Sequence, residues 1–179
     1  MRKLFSFAWE ALKIIVIALV IVIPIRYFLF QPFIVKGQSM EPNFETGDYL
    51  IIDELSFRFR DPQRGEVVVF RYPYNPSQRF IKRIIGLPGE KIEIKAGSIM
   101  INNQILDESG YLPFDLQTPR ALQISLNENE YFVLGDNRIS SSDSRQWGPL
   151  PRENIVGRVL IRAWPFTALA KIEAPEYRY

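Results

Sequence analysis

The chain has 179 residues, enough for one domain of ordinary size plus an appendage and too few for two comfortable domains. A formal net charge of +2 gives no electrostatic basis for nucleic-acid binding, and an apolar content of 47% argues against wholesale disorder. There is neither histidine nor cysteine, which excludes Ser-His-Asp chemistry, thiol nucleophiles, disulfides and metal sites built on those ligands; an enzyme made from this chain draws its base from Lys, Asp, Glu, Tyr or an α-amine.

The first predicted element is an apolar helix. Ile14 to Ile25 is an uncharged run bounded by Lys13 and Arg26. Alone it is too short for a hydrocarbon core of roughly 30 Å, which needs about 20 residues. Phe7, Ala8, Trp9, Ala11 and Leu12 lengthen it on one side, interrupted by Glu10, and Tyr27 to Phe30 lengthen it on the other. Lys13 and Arg26 can snorkel toward headgroups, and Trp9 and Tyr27 stand where interfacial aromatics stand. Three readings compete: a cleaved signal peptide, a buried helix of a soluble protein, and a retained anchor. No small-x-small cleavage site follows the run, and apolar residues cover every face, so the retained anchor is favoured. Arg2 and Lys3 point to a cytoplasmic N-terminus, a signal diluted by Arg26 and Lys36.

From residue 33 onward the pattern is of short strands without a helical stripe. The expected strands are Phe33–Val35, Tyr49–Asp53, Glu66–Arg71, Phe80–Gly86, Lys91–Lys95, Ser98–Asn102, Leu122–Leu126, Tyr131–Leu134 and Ile155–Arg162. Ala96-Gly97 reads as the tip of a hairpin, Asp61-Pro62, Asn75-Pro76 and Leu87-Pro88-Gly89 as turns, and residues 103–121 as a loop.

Three segments carry possible chemistry. Ser39-Met40-Glu41-Pro42 follows Lys36-Gly37-Gln38 just beyond the apolar helix, in a permissive backbone that can present a hydroxyl. Arg79 to Glu90 reads as a strand entering a tight turn. In it Lys82 and Arg83 point to opposite faces, one outward and the other inward among Phe80, Ile84 and other apolar groups. A lysine placed inward must become neutral or paired. Gly135-Asp136-Asn137-Arg138-Ile139-Ser140-Ser141-Ser142-Asp143-Ser144-Arg145 follows an apolar strand. Each segment alone is compatible with ordinary structure: a solvated serine, snorkelling cations, a hydrogen-bonded turn.

In combination and in this order they resemble the type I signal peptidases, Ser-Lys peptidases that remove signal sequences. The family pattern is Ser-Met-x-Pro after a membrane anchor, then Arg-Gly-x-Val-Val-Val-Phe, then Lys-Arg-x-x-Gly-Leu-Pro-Gly-Asp/Glu, then Gly-Asp-Asn-Arg-x-x-Ser-x-Asp-Ser-Arg. The chain has Ser39–Pro42, Arg64–Phe70, Lys82–Glu90 and Gly135–Arg145. It departs in having Asn43-Phe44 where Thr-Leu is common, and Gly37 where some members carry an oxyanion-holding serine, which leaves a backbone N–H, that of Ser39, as the donor to expect.

The resemblance implies a mainly β, signal-peptidase-like antiparallel fold with one N-terminal transmembrane helix: an anchor over residues 1–31 and a catalytic domain over 32–179. It implies Ser39 as nucleophile, Lys82 as general base, Ser141 orienting the Lys82 amine, and Asp143 and Arg145 as a supporting pair. Ser140 and Ser142 compete with Ser141, which the motif alignment selects. Lysine is below about 0.1% neutral at pH 7 in water, so Lys82 must be desolvated to act. Substrates would be signal-peptide-bearing preproteins cut after small-x-small sites, lying extended beside Phe33–Gly37 and Phe80–Lys82. Val35, Gly37, Met40, Phe44, Phe80 and Ile81 are the candidate substrate-binding positions, with core packing the competing reading. No cofactor or metal is expected, and the lipid bilayer is a partner. The catalytic domain would lie on the extracytoplasmic side of a plasma membrane, a thylakoid or an organelle inner membrane. Two other functions compete: a Ser-Lys self-processing peptidase, and a membrane-tethered β-domain that binds export substrates without cutting them.

Overall fold

The computed structural model describes residues 2–28, 30–113, 116–175 and 177. Helix α1 spans Arg2–Phe28, about 40 Å at 1.5 Å per residue. Phe7, Trp9, Leu12, Ile14, Ile15, Val16, Ile17, Leu19, Val20 and Val22 on it are exposed. Glu10 and Lys13 interrupt this apolar surface and pair at 3.8 Å. Among the described residues no helix is long and apolar enough to cross a membrane.

Beyond the helix the chain is antiparallel β-structure. The strands are β1 (Phe30–Ile34), β2 (Tyr49–Asp53), β3 (Val67–Tyr72), β4 (Asn75–Gly86), β5 (Lys91–Lys95), β6 (Ser98–Ile101), β7 (Gln104–Ile105), β8 (Leu122–Ser125), β9 (Glu130–Leu134), β10 (Leu150–Pro151), β11 (Ile155–Trp164) and β12 (Ala170–Lys171). The larger sheet runs β1-β2-β11-β3-β4-β9-β10, with β12 on β11; the smaller runs β7-β6-β5-β8.

Strand β3 shows why the apolar run Val67–Phe70 has no polar alternation. Val67 and Val69 enter one core cluster with Leu50, Ile52 and Val159, while Val68 and Phe70 enter another with Ile84, Val133 and Trp147. A strand covered on both faces has no solvent side to mark. A third cluster, around Ile92, Ile94, Phe132 and Leu134, joins the smaller sheet to the larger one. The β5–β6 hairpin turns at Ala96 (φ 50°) and Gly97 (φ 82°) between the paired Lys95 and Ser98, the mirror-image turn that suits strand twist.

Several expectations move. β1 begins at Phe30 and ends at Ile34, because five residues pair with β2. Asn75-Pro76, expected as a turn, opens β4 after a bulge at Arg71/Tyr72, on an exposed stretch where proline costs no ladder bond. The 103–121 loop holds the two-residue β7. Helix α2 (Ser144–Trp147) lies inside the third motif; four residues carry no periodicity, and its start is set by the Asp143 side chain accepting from the Arg145 N–H. Lys82 and Arg83 were expected to divide between outside and inside. Both are buried, because β4 is covered on both faces at that point.

Candidate active site

The register of β4 decides where its two cations go. Lys82 stands opposite Val68, on the face that also carries Phe80 and Ile84; Arg83 stands opposite Val67, on the face of Ile81. Lys82 is only 4% exposed, and its Nζ lies 2.7 Å from Ser39 Oγ and 2.8 Å from the Ile81 carbonyl oxygen. Its ammonium also sits 5.6 Å from the centre of the Phe80 ring. Burial lowers the Lys82 pKa from 10.5 to about 8, opposed by the fields of Asp143 and Asp136. About a tenth of the amine is then neutral at pH 7, about 300-fold more than for a solvated lysine.

Two arginines explain why burial wins over those carboxylates. Arg83 donates through Nε and Nη2 to Asp136 at 2.8 and 2.6 Å, and to the Gly65 carbonyl at 2.9 Å. Arg145 donates to Asp143 at 2.8 and 2.7 Å. Each acid is paired with an arginine through a fork of two bonds, which weakens the field it projects on the lysine.

Ser39 is carried by a turn that follows β1 and is fastened to the third motif. Its carbonyl accepts from the Asn137 N–H at 3.1 Å. Asn43, four residues on, donates to Asp136 at 2.8 Å and to the Tyr111 carbonyl at 2.9 Å. Gly37 has φ 91°, a left-handed conformation that disfavours any side chain there. Gly135 is needed for closeness: a Cβ on it would lie 2.2 Å from Ser141 Oγ and 2.3 Å from the Ser39 carbonyl oxygen. The glycine therefore lets the nucleophile's backbone and Ser141 approach each other. Ser141 Oγ is buried and has no hydrogen-bond partner among the described residues. Asp143, also fully buried, accepts from the Gly135 N–H at 3.1 Å, so the supporting pair sets the height of this glycine.

Ser39 and Lys82 open into a cleft of about 450 Å³, lined also by Phe33, Ile34, Lys36, Gly37, Gln38, Arg79, Phe80, Ile81, Ser140 and Ser142. Of the six candidate substrate-binding positions, Gly37, Phe80 and Ile81 line it. Val35, Met40 and Phe44 pack behind it, in one cluster with Ile81. The cleft runs between two strand margins. β1 pairs with β2, and β4 pairs with β9 only from Arg83 onward, leaving residues 75–82 of β4 with one partner, β3. Arg79 spans the gap by donating to Gln31 Oε1 at 2.9 Å.

Sequence reasoning paired Arg145 with Asp143 but assigned no partner to Arg83 or Arg138. Arg83–Asp136 is one pair it missed. Arg138 is another: buried, it donates to both carboxylate oxygens of Glu108, at 2.8 and 2.5 Å, to Thr118 Oγ1 at 2.6 Å and to the Gly135 carbonyl at 3.0 Å. The adjacency of two cations in one predicted strand was the available signal for the first. For the second there was none, since Glu108 lies in a segment without pattern.

A sequence profile described as "Signal peptidase, peptidase S26" matches residues 8–164. "Probable signal peptidase I-2" of Synechocystis sp. is 40% identical over 161 residues, covering 86% of this chain and 72% of that protein. "Signal peptidase I" of Leptolyngbya laminosa is 37% identical over 176 residues, covering 93% and 84%. "Probable thylakoidal processing peptidase 2, chloroplastic" of Arabidopsis thaliana is 33% identical over 179 residues, covering 96% of this chain and 48% of that protein.

Proposed function

The chain belongs to the signal peptidase family, peptidase S26, and from that membership we propose a membrane-bound serine endopeptidase that removes signal peptides from preproteins by a Ser39–Lys82 dyad. The observation that carries this is the 2.7 Å approach of a desolvated Lys82 amine to Ser39 Oγ at the head of a cleft.

Neutral Lys82 takes the Ser39 proton as Oγ attacks the scissile carbonyl. With Gly37 lacking a side chain to help, the Ser39 backbone N–H is the donor assigned to the developing oxyanion. The Lys82 ammonium then returns the proton to the leaving amine, freeing the mature protein and leaving an ester on Oγ. Neutral again, Lys82 activates a water that attacks this ester and restores Ser39. Ser141, whose buried hydroxyl has no partner among the described residues and so is free to accept one, is the residue the motif assigns to orient the amine. Asp143 and Arg145 hold the loop that carries it.

The signal peptide's last residues lie extended between the β1 and β4 margins, adding main-chain hydrogen bonds there. Gly37, Phe80 and Ile81 face its side chains, while Val35, Met40 and Phe44 set the depth from behind. The family resemblance implies small residues at the first and third positions before the cut, and the buried side chains that close the cleft's floor limit its depth there. The test is to incubate the detergent-purified protein with an exported precursor and map the new N-terminus by mass spectrometry. A single cut after a small-x-small site is expected; cutting elsewhere would count against signal-peptide processing while leaving the dyad intact.

The family membership and the apolar side chains exposed along α1 support an anchor over residues 1–31, with the catalytic domain (32–179) on the extracytoplasmic side of a plasma, thylakoid or organelle inner membrane. Trp164 and Phe166, both exposed and in edge contact at 4.8 Å, offer a second apolar patch that can meet the same surface. We expect the full chain to stay with membranes through alkaline carbonate extraction; release into the supernatant would argue for surface attachment in place of a span.

A further inference from the structure

A second cavity begins where the catalytic cleft ends. Ser140 and Ser142 line the cleft; Ile139, the next residue back along the chain, is 78% exposed and lines a separate pocket of about 340 Å³. The other walls of that pocket are the β5–β6 hairpin tip and residues 117–121, and Arg120 is the one charged side chain among its lining residues.

This pocket is not a loose surface dimple. Its 117–120 wall is fastened to the catalytic loop by the loop's own arginines: Arg138 donates to Thr118 Oγ1 at 2.6 Å and Arg145 to the Pro119 carbonyl at 3.4 Å. On its other side Thr118 donates its N–H to the Gly97 carbonyl at 2.8 Å, tying the wall to the hairpin tip. Arg120 itself is held at φ 73°, a left-handed backbone that a non-glycine residue seldom adopts. The residues that order Ser141 and Asp143 therefore also hold the cation at this pocket.

Resting on the signal-peptidase reading, we propose that this pocket receives the N-terminal segment of the mature protein, the residues just after the cut, and that Arg120 makes it prefer an acidic side chain there. Continuity carries the placement. A substrate whose signal-peptide end fills the cleft up to Ser39 leaves that cleft past Ser140. Ile139 is the residue next to Ser140, so at about 3.3 Å per extended residue the early mature residues, taken as the second to fourth, are the ones placed over it. Charge carries the preference, since a single arginine among otherwise uncharged lining residues attracts a carboxylate and repels an ammonium.

The experiment uses the full-length protein in detergent with three precursors identical except at mature positions 2–4, which carry Glu, Ala or Lys. The ratio of kcat/KM for Glu over Lys is measured in the wild type, Arg120→Glu and Arg120→Gly. Glycine suits the left-handed backbone and so removes the charge without adding strain. A wild-type ratio of about three- to five-fold is expected, the size of a partly exposed ion pair. It should invert in Arg120→Glu and fall to about one in Arg120→Gly. One common ratio in all three proteins overturns the proposal while the peptidase reading stands. If the wild type fails to cut the Ala precursor after its small-x-small site, the peptidase reading falls and takes this inference with it.

Discussion

Ser39→Ala is expected to lose cleavage almost completely, with kcat/KM falling on the order of 10⁴-fold or more, while the protein stays folded. Removing the hydroxyl removes the atom that would form the ester, and no neighbouring group can replace it in place. Ser140 and Ser142 line the same cleft, but the hydroxyl 2.7 Å from the Lys82 amine is that of Ser39. The fold should tolerate the change because Ser39 is bound to the third motif through its carbonyl, which alanine keeps. Precursor cleavage followed by gel, with thermal unfolding measured alongside, checks both halves. Turnover within tenfold of wild type would falsify Ser39 as nucleophile; unfolding of the variant would leave Ser39→Cys, which keeps a nucleophilic atom at that place, to decide by retained slow turnover.

The second large effect belongs to Lys82, and it separates catalysis from stability. Lys82→Arg should be inactive, since a guanidinium keeps its proton at any working pH. Lys82→Met should be equally inactive but more stable. The Lys82 pKa falls from 10.5 to about 8 on folding, so between those values the unfolded chain binds more protons than the folded one. Stability should therefore rise with pH across roughly pH 8 to 10.5, and below about 8 the cost of the buried ammonium is present in full. The distance from 10.5 to about 8 corresponds to about 3 kcal/mol. Methionine, of similar length and without charge, removes that cost, so the melting temperature at pH 7 should increase and its rise above pH 8 should disappear. In the wild type, kcat/KM should climb with pH along an acid limb whose midpoint is about 8. A limb at the ordinary lysine value, or a variant of unchanged stability, would mean that Lys82 is solvated in the working enzyme.

Much of this arrangement was readable from the residues in order, for definite reasons. Strands Tyr49–Asp53 and Lys91–Lys95 fall where expected because turn residues bracket them and their side chains alternate. The Ala96-Gly97 tip follows from the backbone that a two-residue hairpin demands. Ser39 and Lys82 come together as the ordered motifs imply. Other features were out of reach. The two-faced burial of β4 depends on which strands flank it, a non-local fact, so the inward course of both Lys82 and Arg83 was hidden. Val35, Met40 and Phe44 are apolar residues beside the nucleophile, and sequence cannot separate a side chain that faces the cleft from one that supports it. The bond from Arg138 to Glu108 spans 30 positions with no pattern to announce it.

The placement of Lys82 and Arg83 on consecutive positions of β4 bears on the hazard that any protease poses to the cell that makes it. A strand that paired one residue out of register in one direction would carry Arg83 to the serine and Ile84 to Asp136; slipped the other way, it would carry Ile81 to the serine and Lys82 to Asp136. The first chain would hold a permanent cation at its nucleophile and the second an apolar side chain, and neither would have a base there. A one-residue register slip of β4 in either direction thus yields an inert molecule, and proteolysis is confined to copies in which this strand has paired correctly.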